Sequence, residues 1–149
     1  MITKILAPVD GSPACKKALA LARNLAETYG AKVTLLHVLP LPMLELLSYR
    51  TPMAGGDILP QQVEDRLRSD SDQMLDEAQQ IVGEANIAET RAVLGHPSEL
   101  ISETAEKEQF SLVVMGSRGH GRVTGYLLGS ASNYVVSHCP VPVLIVKAD

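Results

Sequence analysis

The sequence predicts an α/β fold, a parallel β-sheet with helices on both faces. Apolar runs of strand length alternate with helix-period segments along the whole 149-residue chain. Turn and cap residues punctuate the alternation at Asp10-Gly11-Ser12-Pro13, Gly30, Gly95-His96-Pro97 and Gly129-Ser130. The composition is 46% apolar but only 3% aromatic, with no Trp, so the core is aliphatic.

Ile2 to Val9 reads as the first strand, closed by the Asp10-Gly11 turn. Ser12 then serves as N-cap and Pro13 as first residue of a helix whose apolar face carries Ala14, Ala18, Leu21, Ala22, Leu25 and Tyr29. Gly30 ends it. Lys32 to Leu39 is the second strand. Pro40, Pro42, Pro52, Pro60 and Gly55-Gly56 then make an irregular connection, with a short helical turn expected at Met43 to Ser48. Gln61 to Ala85 reads as a long helix with Val63, Leu67, Met74, Ala78, Ile81, Val82 and Ala85 on its inner face. Ala88 to Leu94 is the third strand, and Gly95-His96-Pro97 opens a helix through Gln109. Leu112 to Gly116 is the fourth strand, Ala131 to His138 the last helix, and Val141 to Lys147 the fifth strand. The length suits one domain, residues 1–149.

The formal charge of −4 is unevenly spread: residues 61–110 hold twelve acids against four bases, whereas residues 111–149 hold Arg118, Arg122 and Lys147 against Asp149 alone. A basic footprint for nucleic acid is absent, and so are the aromatic platforms that single strands favour. The first apolar run stops at Asp10, which argues against a signal peptide. No stretch approaches the ~20 apolar residues of a membrane span, so a cytoplasmic protein is expected. Cys15 and Cys139 form neither a disulfide framework nor a metal motif and read as packing residues.

The most specific feature is G-x2-G-x9-G-S, formed by Gly116, Gly119 and Gly129-Ser130 between the fourth strand and the last helix. With Gly121, these glycines let backbone N–H groups approach an anion, and the helix N-terminus adds about half a positive charge. Arg118 and Arg122 supply forks that match phosphate; Arg118, between the key glycines, is the favoured one, whereas Arg122 is equally at home as a solvated loop arginine. Ligands of parallel sheets sit beyond the strand ends at the topological switch point, here the ends of the first and fourth strands, with Asp10 at one and Gly116 at the other. Asp10 suits ribose hydroxyls, or it bonds its own turn backbone ahead of Gly11. A Walker A motif is absent, and the dinucleotide fingerprint is missing after the first strand. His37, His96, His120 and His138 show no metal-ligand spacing.

The segment Val113-Val114-Met115-Gly116-Ser117-Arg118-Gly119, with Gly129-Ser130, the opening Ile5 to Gly11 and the tail Val141 to Val146, resembles the universal stress protein A family in its ATP-binding branch. The resemblance covers essentially the whole chain, least well at 40–60. It implies an open five-stranded parallel sheet of the Rossmann-like, adenine-nucleotide-binding type. It further implies that Asp10 binds ribose, that Pro8 and Val9 line the adenosine pocket, that Val38 contacts adenine and that Met115 forms the pocket wall. Gly116, Arg118, Gly119, Gly121, Gly129, Ser130, Ala131 and Ser132 would surround the phosphates, the last two through backbone alone. ATP or a related adenine nucleotide is the expected cofactor, with Mg or Mn as the accompanying ion, and a homodimer through Val141 to Lys147 is the expected assembly. The leading functional expectation is a nucleotide-dependent regulatory protein of the stress response, with an unidentified protein partner. Two alternatives stand beside it: a slow ATP hydrolase, for which no convincing base is visible, and a ligand-free dimeric interaction module using the Leu41 to Leu47 segment.

Overall fold

A computed structural model describes residues 1–40, 60–118 and 127–148. Five strands, β1 (Lys4–Pro8), β2 (Lys32–Pro40), β3 (Ile87–Gly95), β4 (Leu112–Gly116) and β5 (Val143–Val146), form one parallel sheet in the order β3-β2-β1-β4-β5. Helices α1 (Pro13–Tyr29), α2 (Pro60–Val82), α3 (Pro97–Lys107) and α4 (Ser130–His138) alternate with them. The expected helical turn at Met43 to Ser48 lies outside the described residues.

The core is two aliphatic layers, one on each face of the sheet. Ile5, Ala7, Val33, Leu35, Leu112 and Val114 meet α1 and α2 through Ala18, Leu19, Ala22, Leu75, Ala78 and Val82. On the other face, Leu6, Leu36, Val38, Val113 and Met115 meet α3 and α4 through Ile101, Ala105 and Val135. Covering both faces explains why the central strands read as unbroken apolar runs. Each fully buried Leu, Ile or Val there contributes roughly 1.5–3 kcal/mol of transfer free energy.

Several boundaries and faces differ from the sequence reading. The apolar face of α1 is turned from the expected stripe: Cys15, Leu19 and Ala26 are buried, whereas Tyr29 is 54% exposed. Helix α2 stops at Val82 rather than Ala85, because Gly83 takes a left-handed φ of 87° and a 3-10 turn, Glu84–Asn86, follows. Helix α3 stops at Lys107, with Gln109 turning the chain at φ 54°. β5 is shorter than expected, although the Pro142 carbonyl still accepts from the Val113 amide at 2.9 Å. The caps of α1 fall where expected: Ser12 accepts from the Cys15 amide, Pro13 opens the helix, and Gly30 closes it in left-handed conformation at φ 66°.

The chain steps outward from β1 through β2 to β3, then returns to place β4 on the other side of β1. The carboxyl ends of β1 and β4 therefore face diverging connections, α1 on one sheet face and α4 on the other. This divergence opens a crevice.

Candidate functional site

A crevice of about 740 Å³ lies over the carboxyl ends of the strands. Its floor is Pro8 at the end of β1, Val9 and Asp10 after it, Val38 in β2, and Met115 and Gly116 in β4. Arg118 and the first turn of α4, Gly129 to Ser132, form one wall. Leu67, Asp70, Ser71 and Met74 of α2 form another. Every sequence-predicted site residue among the described ones thus lines a single cavity. Gly119 and Gly121 lie outside the described residues, as do His120 and Arg122.

Two of the motif glycines have packing reasons distinct from ligand approach. A Cβ on Gly116 would lie 2.8 Å from the Ala14 carbonyl carbon and from the Cys15 nitrogen, so the backbone of α1 rests directly on β4. A Cβ on Gly129 would lie 3.2 Å from Arg118 Cα. The Gly129 amide, expected to face an anion, instead donates to the Ser117 carbonyl at 2.7 Å. Ser132 Oγ donates to the same carbonyl at 2.7 Å, so its hydroxyl is committed to the protein and only its backbone amide remains for a ligand. Arg118 Nε donates to the Leu127 carbonyl at 2.9 Å. These bonds draw residues 117–118 against 127–132.

Three helices begin at the crevice, since Pro97 of α3 also lines it, and the starts of α1 and α4 are finished differently. At α1, Asp10 Oδ1 accepts from the Ser12 amide at 2.9 Å, which is the turn role of Asp10 weighed above. Ser12 Oγ accepts from the Cys15 amide and donates to the Arg118 carbonyl, both at 3.1 Å. At α4, the N-cap is Gly129, and among the described residues no side chain caps the helix. The first-turn amides of Ser130, Ala131 and Ser132 thus carry the positive end of the helix dipole into the crevice, with no side-chain acceptor among the described residues.

His37 joins the crevice from β2. Its Nδ1 sits 2.7 Å from the Val9 carbonyl, and since a carbonyl only accepts, that nitrogen carries the proton. Cys15 also reaches the crevice, where burial pushes its thiol up to about 11. A thiol of that acidity stays protonated and unreactive at neutral pH. A charged cluster lies elsewhere among the described residues: Arg91 pairs with Glu89 and, at 2.8 Å from Nη2 to Oε2, with Glu108. The Arg91 guanidinium holds both carboxyls below their usual range. Among the described residues, no group of three or more His, Cys, Asp or Glu side chains forms a metal site.

Sequence reasoning missed the α2 wall. Leu67 and Met74 carried a visible signal, helical spacing, but it read as core alone. Asp70, from the acidic helix, adds a second carboxylate to the lining beside Asp10.

A sequence model of the universal stress protein family matches residues 1–147. The chain belongs to that family. Among universal stress proteins it is 33% identical over 149 residues to one from Thermus aquaticus encoded in the QAH/OAS sulfhydrylase 3′ region, covering 99% of this chain and 100% of that one. The fold matches universal stress protein UspA from Lactobacillus plantarum with a TM-score of 0.77 at 26% identity, covering 97% of each chain. It also matches the universal stress protein from Archaeoglobus fulgidus solved in complex with dAMP, with a TM-score of 0.61 at 20% identity over 99% of this chain and 98% of that one. At that identity the likeness is one of fold. Among the described residues, no helix is long and apolar enough to cross a membrane.

Proposed function

We propose that this universal stress protein binds an adenine nucleotide, ATP in the first instance, in the crevice between β1 and β4. The observation that carries the reading is the uncapped N-terminus of α4 opening into the same cavity as Asp10. An uncapped helix end attracts phosphate, a carboxylate at a strand end suits ribose, and the cavity volume falls within the ~300–1,000 Å³ of small-molecule sites. Family membership and the dAMP complex of the Archaeoglobus fulgidus relative support it.

In this reading the amides of Ser130, Ala131 and Ser132, with Arg118, hold phosphates. Asp10 holds ribose with its carboxylate while keeping its bond to the Ser12 amide. Pro8, Val9, Val38 and Met115 enclose the nucleoside, and Gly116 supplies the close packing that shapes the floor. A Mg or Mn ion arrives with the phosphates, as hard cations with few protein ligands do.

Connectivity supports a regulatory role. The Ser117 carbonyl takes the bonds from Gly129 and Ser132, while the Ser117 amide donates to the Val146 carbonyl of edge strand β5 at 2.8 Å. Ordering the phosphate end therefore bears on β5, through which we propose the protein dimerises in the cytoplasm. Such a switch requires that the two states differ in nucleotide affinity.

Mass spectrometry of small molecules released from purified protein tests the ligand. Thermal unfolding with ATP at a hundred times its Kd tests the affinity, with a stabilisation of about 2.7 kcal/mol expected. Protein free of nucleotide, and unmoved in Tm by saturating ATP, overturns the proposal.

A further inference from the structure

Two serines among the described residues bury a hydroxyl that reaches no hydrogen-bond partner: Ser71 on α2 and Ser102 on α3. Such groups are rare in folded proteins, because a hydroxyl withdrawn from water without a partner costs free energy. Their surroundings differ. Ser71 lines the crevice, and Ser102 does not.

Ser71 is 1% exposed and sits between Leu67 and Met74 at helical spacing, so one face of α2 presents apolar, hydroxyl and apolar side chains in turn. That face stands over the turn after β1: a Cβ on Gly11 would lie 3.3 Å from Met74 Cε. A few polar groups set among apolar side chains are how small-molecule sites fix orientation. The neighbouring carboxylate of Asp70, on the same wall, disfavours phosphate here. What suits this wall is the uncharged half of a nucleotide.

We propose that Ser71 is a ligand-recognition residue whose hydroxyl bonds a polar atom of the nucleoside half, sugar or base, of the bound nucleotide. The inference rests on the nucleotide reading above. It explains why a buried hydroxyl is kept without a partner at the crevice wall: the partner is the ligand.

The test is calorimetric titration of ATP and AMP into wild type, Ser71→Ala and Ser102→Ala, with thermal unfolding of each protein without nucleotide. Both variants remove a costly buried hydroxyl, so both are expected to melt at or above the wild-type temperature. Ser71→Ala is expected to bind ATP and AMP about three- to tenfold more weakly, by the same factor for each, and Ser102→Ala to bind as wild type does. Wild-type affinity in Ser71→Ala, a loss confined to ATP, an equal loss in Ser102→Ala, or a Ser71→Ala protein that melts below wild type overturns the assignment of Ser71 while the nucleotide reading stands. Wild-type protein that binds neither nucleotide overturns both.

Discussion

Helices α1 and α4 both begin at the crevice, and they begin in opposite ways. The start of α1 is closed: Ser12 caps it, Asp10 braces Ser12, Pro13 removes one donor, and β4 presses against its backbone at Gly116. The start of α4 is open, with glycine as N-cap and, among the described residues, no side-chain acceptor for its first amides. Both sit in one cavity and carry the same dipole, so position alone does not make an anion site. What separates them is whether the chain satisfies its own amides. The closed end holds the fold at the switch point, and the open end is left for a ligand.

The strongest way to break this comparison is at Gly116. A Cβ there meets backbone atoms of α1 at 2.8 Å, and backbone cannot swing aside as a flexible side chain can. Gly116→Ala is therefore expected to destabilise the protein by about 3 kcal/mol, read by urea denaturation. If Gly116 served ligand approach alone, the variant would lose nucleotide and keep its stability.

Cys15 lies in the same closed end, its amide on Ser12 Oγ and its thiol raised from 9.0 to about 11 by burial. The folded state holds that proton where the unfolded chain releases it. The stability this confers is complete below pH 9.0 and lost as pH rises through about 11. Between those values wild type is expected to lose up to about 1.4 kcal/mol per pH unit more than Cys15→Ala does, measured by denaturation at each pH. Parallel curves for the two proteins would mean that the thiol reaches water. Smaller again is Ser12→Ala, which removes the cap of α1 and the bond to the Arg118 carbonyl. It is expected to cost about 1–2 kcal/mol, and an effect within a few tenths would mean that water replaces both bonds.

The sequence made the closed end legible and the open end only half so. Ser12, Pro13 and Gly30 act through local geometry, within one turn of chain, and local rules find them. The parallel sheet followed from the alternation of strands and helices, and the switch-point rule brought Asp10 and Gly116 together, but the full strand order came from the structure. The destination of the Gly129 amide was not legible, because its acceptor, Ser117, depends on how residues 117–118 fold back against α4. Nor was the rotation of α1, whose small residues leave the apolar stripe broad enough for two placements. Ser71 was hidden for another reason: serine in an apolar helical face gives no sign of whether its hydroxyl finds a partner.

Ser130→Asp sharpens the comparison by closing the open end artificially. Ser130 is exposed at the first position of α4, where a carboxylate faces the positive end of the dipole and no packing is disturbed. Such a charge stabilises a helix by about 0.3–1 kcal/mol, so the nucleotide-free variant is expected to unfold slightly later than wild type. The same carboxylate stands among the proposed phosphate amides, where it repels a triphosphate and competes for its donors. ATP affinity is expected to fall about tenfold or more by calorimetry, equivalent to ~1.4 kcal/mol, with adenosine much less affected. A variant that gains stability and loses ATP separates the two effects of one charge, as an amide-lined phosphate site at the start of α4 requires. One that gains stability and keeps ATP would move the phosphates away from α4, and the contrast between the two helix ends would then concern folding alone.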